Sequence, residues 1–158
     1  MDPHLPPRSQ FSFGTVLVNA GATEVLLREP TNHHNGYVWT FAKGMPEAGE
    51  NPEDTALREA REEYGWDLEI LKPIPRWFSG PQWANFFFLA RAVAPRPDGH
   101  CWETASVKWF TWAAARDAIS LTSKPHRRDR DHEILSAAQS VATGVNPLSP
   151  GSNTGGQP

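Results

Sequence analysis

Three glutamates at helical spacing are the residues of this chain best suited to chemistry. Glu59, Glu62 and Glu63 stand at positions i, i+3 and i+4, so on a helix their carboxylates are neighbours that repel one another. A solvated surface, with Arg58 paired to Glu62, is one interpretation. Lysines are not interleaved in the cluster, however, and a divalent cation would remove the repulsion. Because the ligands are all oxygens, the cluster favours Mg²⁺ or Mn²⁺ over Zn²⁺.

The helix that must carry these glutamates is predicted over residues 52–64. Pro52 suits a first helical position, Asn51 suits the N-cap, and Gly65 suits the residue that ends a helix. The apolar residues fall on another side, roughly 120° from the glutamates at about 100° per residue. They are Ala56, Leu57, Ala60 and Tyr64.

The remaining elements are short strands and two further helices. Alternating or β-branched runs predict strands at residues 13–18, 24–27, 37–41, 68–74, 85–91 and 107–111. Helical patterns cover residues 112–119 and about 129–140. The fold class is therefore α+β, a mixed sheet flanked by helices, in one domain over residues 11–142. Residues 1–10 and the Gly/Pro-rich residues 143–158 are predicted to be disordered.

Charge and composition exclude several classes of function. The 15 lysines and arginines nearly balance the 18 aspartates and glutamates, giving a net charge of −3, which argues against an extended nucleic-acid partner but not against a small phosphorylated one. The single cysteine excludes an internal disulfide. No apolar run is long enough to span a membrane and no secretory signal is present, so a cytoplasmic location is expected.

The segment around the glutamates resembles the signature of the Nudix hydrolase family, G-x5-E-x7-R-E-U-x-E-E-x-G-U, where U is apolar. Every position fits over residues 44–66. The matching residues are Gly44, Glu50, Arg58, Glu59, Ala60, Glu62, Glu63, Gly65 and Trp66. Seven of these positions require one residue type, so a full match by chance is on the order of 10⁻⁷ at ordinary residue frequencies.

The resemblance implies a Nudix fold, an α/β/α sandwich, and a magnesium- or manganese-dependent hydrolase that cleaves a diphosphate linked to a further group. It implies metal ligation by Glu59, Glu62, Glu63 and the carbonyl of Gly44. Arg58 would orient a glutamate, and Glu50 would support the site. The general base varies within the family, so Glu62 or another helix glutamate and the loop residue Glu103 are both candidates. Many members are dimers, so a homodimer is one assembly that the resemblance allows.

Candidate contacts to a nucleotide-like substrate lie outside the signature. Lys43 precedes Gly44, where relatives that cleave dinucleoside polyphosphates or inositol pyrophosphates carry a phosphate-binding lysine; it is otherwise an exposed surface residue. Arg28, with the adjacent histidines 33 and 34, could line a phosphate pocket. Trp83 lies in a predicted loop over residues 76–83 and could stack on a base. Residues 124–130 form a basic run in which local ion pairs are the alternative to phosphate contact.

The resemblance leaves the substrate open. A dinucleoside polyphosphate is favoured by Lys43, whereas Pro81, fifteen residues after Trp66, is found at about this distance in relatives that hydrolyse ADP-ribose. A nucleoside triphosphate pyrophosphatase and a non-catalytic nucleotide sensor are further alternatives. Sensors typically lose a helix glutamate, and this chain retains all three.

Overall fold

A mixed six-stranded sheet forms the centre of the molecule. The computed structural model describes residues 10–80 and 82–144. In chain order these form β1 (Gln10–Val18), β2 (Glu24–Pro30), a 3₁₀ segment (Thr31–Gly36), β3 (Ala42–Gly44), α1 (Pro52–Glu63), β4 (Trp66–Ser79), β5 (Trp83–Pro95), β6 (Thr104–Thr111), α2 (Trp112–Ile119) and α3 (Pro125–Thr143). The strand order is β4-β5-β1-β2-β6, with β3 also paired to β1.

The alternating side chains of the strands separate two cores. On one face Leu17 and Leu26 pack with Ala60 of α1 and with Tyr64, the residue that follows the helix. On the other face Val16 and neighbouring strand residues pack with α2 and α3. This alternation follows from the two-residue period of a strand. The predicted α+β class and the α/β/α layering are therefore confirmed.

The central strand β1 divides its edge between two partners. Leu17 and Val18 pair with β2, whereas Phe13, Gly14 and Thr15 pair with β3. Its other edge runs parallel to β5. Because β2 and β3 pair with successive parts of the same edge of β1, the sheet opens between them. An isolated bridge between Arg28 and Thr40 connects the two sides of this opening. The cavity described below lies at this opening.

Two sequence-based element predictions were wrong. The strand expected at residues 37–41 lies further along, at Ala42–Gly44. Of the aromatic residues that suggested it, Phe41 is buried, whereas Trp39 is half-buried against Phe110. The loop expected over residues 76–83 is mostly strand, because β4 reaches Ser79 and β5 begins at Trp83. Register shifts after Ile70 and Pro73 accommodate the prolines in β4 that resembled strand ends.

Several boundaries also differ from the predictions. The helix expected at 129–140 is α3, Pro125–Thr143, because the basic run forms its first turns. Gln10 lies in β1 and Thr143 in α3, just beyond the expected domain limits. The predicted disordered ends otherwise fall on residues 1–9 and 145–158, which lie outside the described residues, as does position 81. In the part of the chain that the structure describes, no helix has the length and apolar character needed to cross a membrane.

Candidate active site

Helix α1 begins with a capping box that fixes its first turn. The Asn51 side chain accepts from the Asp54 amide at 2.8 Å, and the Asp54 carboxylate accepts from the Asn51 amide at 3.3 Å. At the other end, the buried Tyr64 hydroxyl donates to the Thr15 carbonyl at 3.1 Å and accepts from the Ala42 amide at 2.9 Å. The helix is thereby held to β1 and β3, the two strands beside the opening in the sheet.

Arg58 holds three glutamates together through hydrogen bonds to each of them. Its guanidinium donates two hydrogen bonds to Glu50, at 2.8 and 3.0 Å, and others to Glu59 at 2.8 Å and Glu62 at 3.4 Å. A further bond to the Met45 carbonyl at 2.9 Å fixes the loop before the helix. The hydrogen bonds from Arg58 lower the pKa of Glu50 to about 2. Glu50 is thus fixed as an anion behind the site.

Glu59 lies directly against the backbone of Gly44. A Cβ atom built on Gly44 would be 2.1 Å from Glu59 Oε1 and 2.2 Å from its carboxyl carbon, far inside van der Waals contact. Only glycine leaves room for this carboxylate. The contact brings together two of the positions that the sequence predicts as metal ligands.

Glu63 is buried at the inner end of the cluster, with 5% of its surface exposed. Its carboxylate pairs with Arg28 at 3.0 Å. Burial raises the pKa of Glu63 well above its usual range; Arg28 opposes this rise and the neighbouring Glu59 adds to it. Glu62 is more exposed, and burial followed by the charge of Glu59 raises its pKa.

The loop before β6 docks onto the end of α1. The Cys101 amide donates to the Glu62 carbonyl at 2.7 Å, and the Thr104 hydroxyl donates to the Glu63 carbonyl at 2.8 Å. Arg28 holds the same loop by donating to the Thr104 hydroxyl and the Glu103 carbonyl. These bonds place Glu103 and Glu63 on one cavity.

That cavity, of about 480 Å³, lies at the opening between β2 and β3. Its acidic residues are Glu63 and Glu103, and its cationic residues include Arg28 and Lys43. The pKa of Lys43 is lowered to about 8, first by burial and then by the charge of Arg130. Arg28, Lys43, Glu63 and Glu103, four of the predicted site residues, therefore line one cavity.

The structure separates Trp83 from this site, since Trp83 starts β5 and is not among the described residues that line the cavity. Trp102 lines it instead and is 81% exposed. Its carbonyl accepts from the Thr31 hydroxyl at 2.7 Å, so its backbone is fixed while its indole is free. Sequence reasoning missed Trp102, although its position next to Glu103 was the available signal.

The donor chemistry of the acidic cluster fits a hard divalent cation. Glu59 lies against the Gly44 backbone and beside Glu63, and all donor atoms are oxygens. A cation would offset the repulsion between the two carboxylates, which adds to burial in raising the pKa of Glu63. Within the described residues, the His, Cys, Asp and Glu side chains nevertheless form no group of three or more arranged to hold a metal. Arg58 and Arg28 occupy carboxylate oxygens instead.

Residues 8–135 match the NUDIX domain family. The chain belongs to the Nudix family. It is 28% identical over 108 residues to Nudix hydrolase 25 of Arabidopsis thaliana, covering 68% of this chain and 58% of that protein. The chain thus spans just over half the length of this relative.

Solved structures of Nudix proteins share the fold. A UDP-X diphosphatase superposes with a TM-score of 0.66 at 15% identity, covering 89% of this chain and 66% of the other. A NUDIX hydrolase from Nitrosomonas europaea gives a TM-score of 0.66 at 17% identity, covering 86% and 90% of the two chains. At these identities the similarity establishes the architecture alone.

Proposed function

We propose that this protein is a metal-dependent hydrolase that cleaves the diphosphate linkage of a nucleoside diphosphate joined to another group. The observation that carries the proposal is the complete Nudix signature, whose acidic cluster reaches one cavity through Glu63. Glu63 and Glu103 line that cavity, Glu59 lies beside Glu63 and against Gly44, and Arg58 braces the outer carboxylates. Acidic and basic groups face the same space, as a metal-bridged phosphate requires.

Glu59, Glu62, Glu63 and the Gly44 carbonyl would hold Mg²⁺ or Mn²⁺. When bound, such a cation neutralises a diphosphate and lowers the pKa of an attacking water. Arg58 keeps the Glu59 carboxylate on the Gly44 side of the site through its 2.8 Å bond. Arg28 pairs with Glu63 and opposes the rise in its pKa that burial causes.

Glu103 is the candidate general base that lies across the cavity from the helix. Its backbone is held by Arg28 and by the Thr31 amide, which donates to the Glu103 carbonyl at 3.0 Å. No hydrogen bond or ion pair of its carboxylate is found among the described side chains. A carboxylate held by its backbone with its oxygens available is suited to accept a proton from water.

Trp102 and Lys43 complete the contacts to substrate. The exposed Trp102 indole at the cavity offers a surface for a nucleobase. Lys43, on β3, provides a positive charge that can bind a phosphate group. A small nucleotide-like molecule is therefore the expected substrate, with a dinucleoside polyphosphate as the first candidate.

The test is a release assay on the purified protein with diadenosine polyphosphates, ADP-ribose, nucleoside triphosphates and an inositol pyrophosphate. Each substrate is assayed with Mg²⁺, with Mn²⁺ and with a chelator. We expect metal-dependent turnover of one substrate class, lost in Glu62→Gln. Turnover that persists with chelator, or in both Glu62→Gln and Glu63→Gln, would contradict the proposal.

A further inference from the structure

The first turns of α3 bring two arginines against the cavity wall. Arg127 Nη1 donates to the Asn35 carbonyl at 3.0 Å, and its guanidinium lies 5.2 Å from the centre of the Tyr37 ring. Arg130 donates to the Tyr37 hydroxyl. Asn35 and Tyr37 both line the cavity. The arginines therefore adjoin the cavity from α3, which packs on the face of the sheet opposite to α1.

Only part of this positive charge has an acidic partner. Arg130 pairs with Asp131 at 3.2 Å, and that buried aspartate also accepts from Thr40 at 2.7 Å. Neither Arg127 nor Lys43 has a carboxylate within ion-pair distance among the described residues. The charges of Arg130, Asp131, Glu63 and Arg127 all act on Lys43. Since Asp131 is paired with Arg130 and Glu63 with Arg28, the charges of Arg127 and Lys43 remain as a local surplus beside the acidic cluster.

The remaining basic residues of the region differ from these. Arg128 pairs with Asp129 at 3.3 Å and does not contact the residues that line the cavity. Arg28 is neutralised by Glu63. The unpaired positive charge is therefore confined to Lys43 and to Arg127 beside Tyr37.

We propose that Lys43, Arg127 and Arg130 form a phosphate subsite beyond the metal-binding glutamates, which takes the third and later phosphates of a linear nucleoside polyphosphate. The proposal rests on the proposed function, because the same cavity receives the diphosphate. The unpaired Arg127 guanidinium and Lys43 ammonium can form strong charge-assisted bonds to phosphate oxygens, and Arg130, which is paired with Asp131, holds the Tyr37 side chain beside them. A substrate with only two phosphates would leave this subsite unfilled.

The subsite is tested by calorimetric binding of inorganic tripolyphosphate in the presence of EDTA. Arg127→Gln should weaken tripolyphosphate binding by about tenfold, because its bonds to phosphate oxygens are lost. Arg128→Gln, which removes the same charge one residue away, should weaken it by less than about twofold. Arg127→Lys should restore most of the affinity, which separates the charge from the packing on Tyr37.

Absence of tripolyphosphate binding by wild-type protein would overturn the proposal, as would equal losses in Arg127→Gln and Arg128→Gln. Competition identifies the source of the phosphates: ATP should displace tripolyphosphate more effectively than myo-inositol hexakisphosphate, and the reverse order would overturn the assignment to a nucleotide. Since neither metal nor turnover enters the measurement, a failure of the hydrolase proposal would not change its result.

Discussion

The acidic side and the basic side of the cavity differ in whether their charged groups have a partner of opposite charge. On the acidic side, Arg58 and Arg28 lie behind the carboxylates of α1 and fix each one, so the negative charges are crowded but held. On the basic side, Arg127 and Lys43 have no acidic partner among the described residues, and an aromatic ring and a carbonyl position Arg127. In the proposed function, the acidic side would hold a cation at a fixed point. In the proposed subsite, the basic side would bind an anion that supplies the missing charge itself.

The largest expected effect tests the acidic side. Glu62→Gln should lower kcat by about 10³-fold with the fold intact, because this carboxylate is half exposed and is one of the proposed metal ligands. Steady-state kinetics on the substrate found in the release assay measure it. The matched control is Glu53→Gln, an exposed first-turn glutamate of the same helix, which should leave kcat unchanged. A similar loss in both variants would show that helix charge, not ligation, matters.

The next effect tests how tightly the acidic side is held. Gly44→Ala should lower activity by about 10–100-fold, since the added Cβ would displace the Glu59 carboxylate from its position. Gly80→Ala is the control, because a Cβ at Gly80 meets nothing within 4 Å. Metal titration of both variants should show weaker Mn²⁺ binding in Gly44→Ala alone. Normal Mn²⁺ affinity there would separate Glu59 from the metal site.

A smaller effect tests the cavity mouth between the two sides. Trp102→Ala should raise KM for a nucleoside substrate about fivefold or more, with kcat nearly unchanged, because the indole contributes stacking and no chemistry. Trp83→Ala, an aromatic substitution away from the cavity, is the control. Inhibition by inorganic tripolyphosphate should be the same in both variants. A fall in kcat rather than a rise in KM would contradict the stacking role.

The smallest effect concerns stability rather than turnover. The folded pKa of Glu50 is about 2, against 4.5 for the free group, because Arg58 stabilises its anion. A carboxylate whose pKa is lowered by folding contributes stability that is present above pH 4.5 and is lost as the pH falls towards 2. Glu50→Gln should therefore lower Tm at pH 6, and the difference in Tm between the variant and wild type should shrink as the pH falls. A gap independent of pH would mean that Arg58 does not act through this ion pair.

The sequence predicts the acidic side far better than the basic side, and the reason is physical. Glu59, Glu62 and Glu63 lie within one helical turn, so spacing alone makes them neighbours. The basic side is assembled from Tyr37 and Arg127, which are distant in sequence and meet only through the sheet opening and the docking of α3. Interleaved aspartates also suggested local ion pairs there, which holds for Arg128 but not for Arg127.

The same contrast explains the errors in the fold. Helix α1 carries its own signals, Asn51, Pro52 and Gly65, and its predicted bounds agree with the structure to within one residue. The segment before β3 depends on non-local contacts: its left-handed residues, among them Asn32 and Asn35, follow no local pattern of strand or helix. Trp102 was missed because one tryptophan in a loop has no periodicity from which its exposure can be deduced.

The contacts between the end of α1 and the loop before β6 determine how the site is lost when the protein begins to unfold. The amide of Cys101 and the hydroxyl of Thr104 occupy the last carbonyls of α1, and Gly65 leaves space for the chain at Gly99. Opening that loop would therefore fray the helix end and remove Glu103 in the same event. Amide hydrogen exchange should show these segments opening as one cooperative unit, so gentle heating should abolish the whole site in a single step.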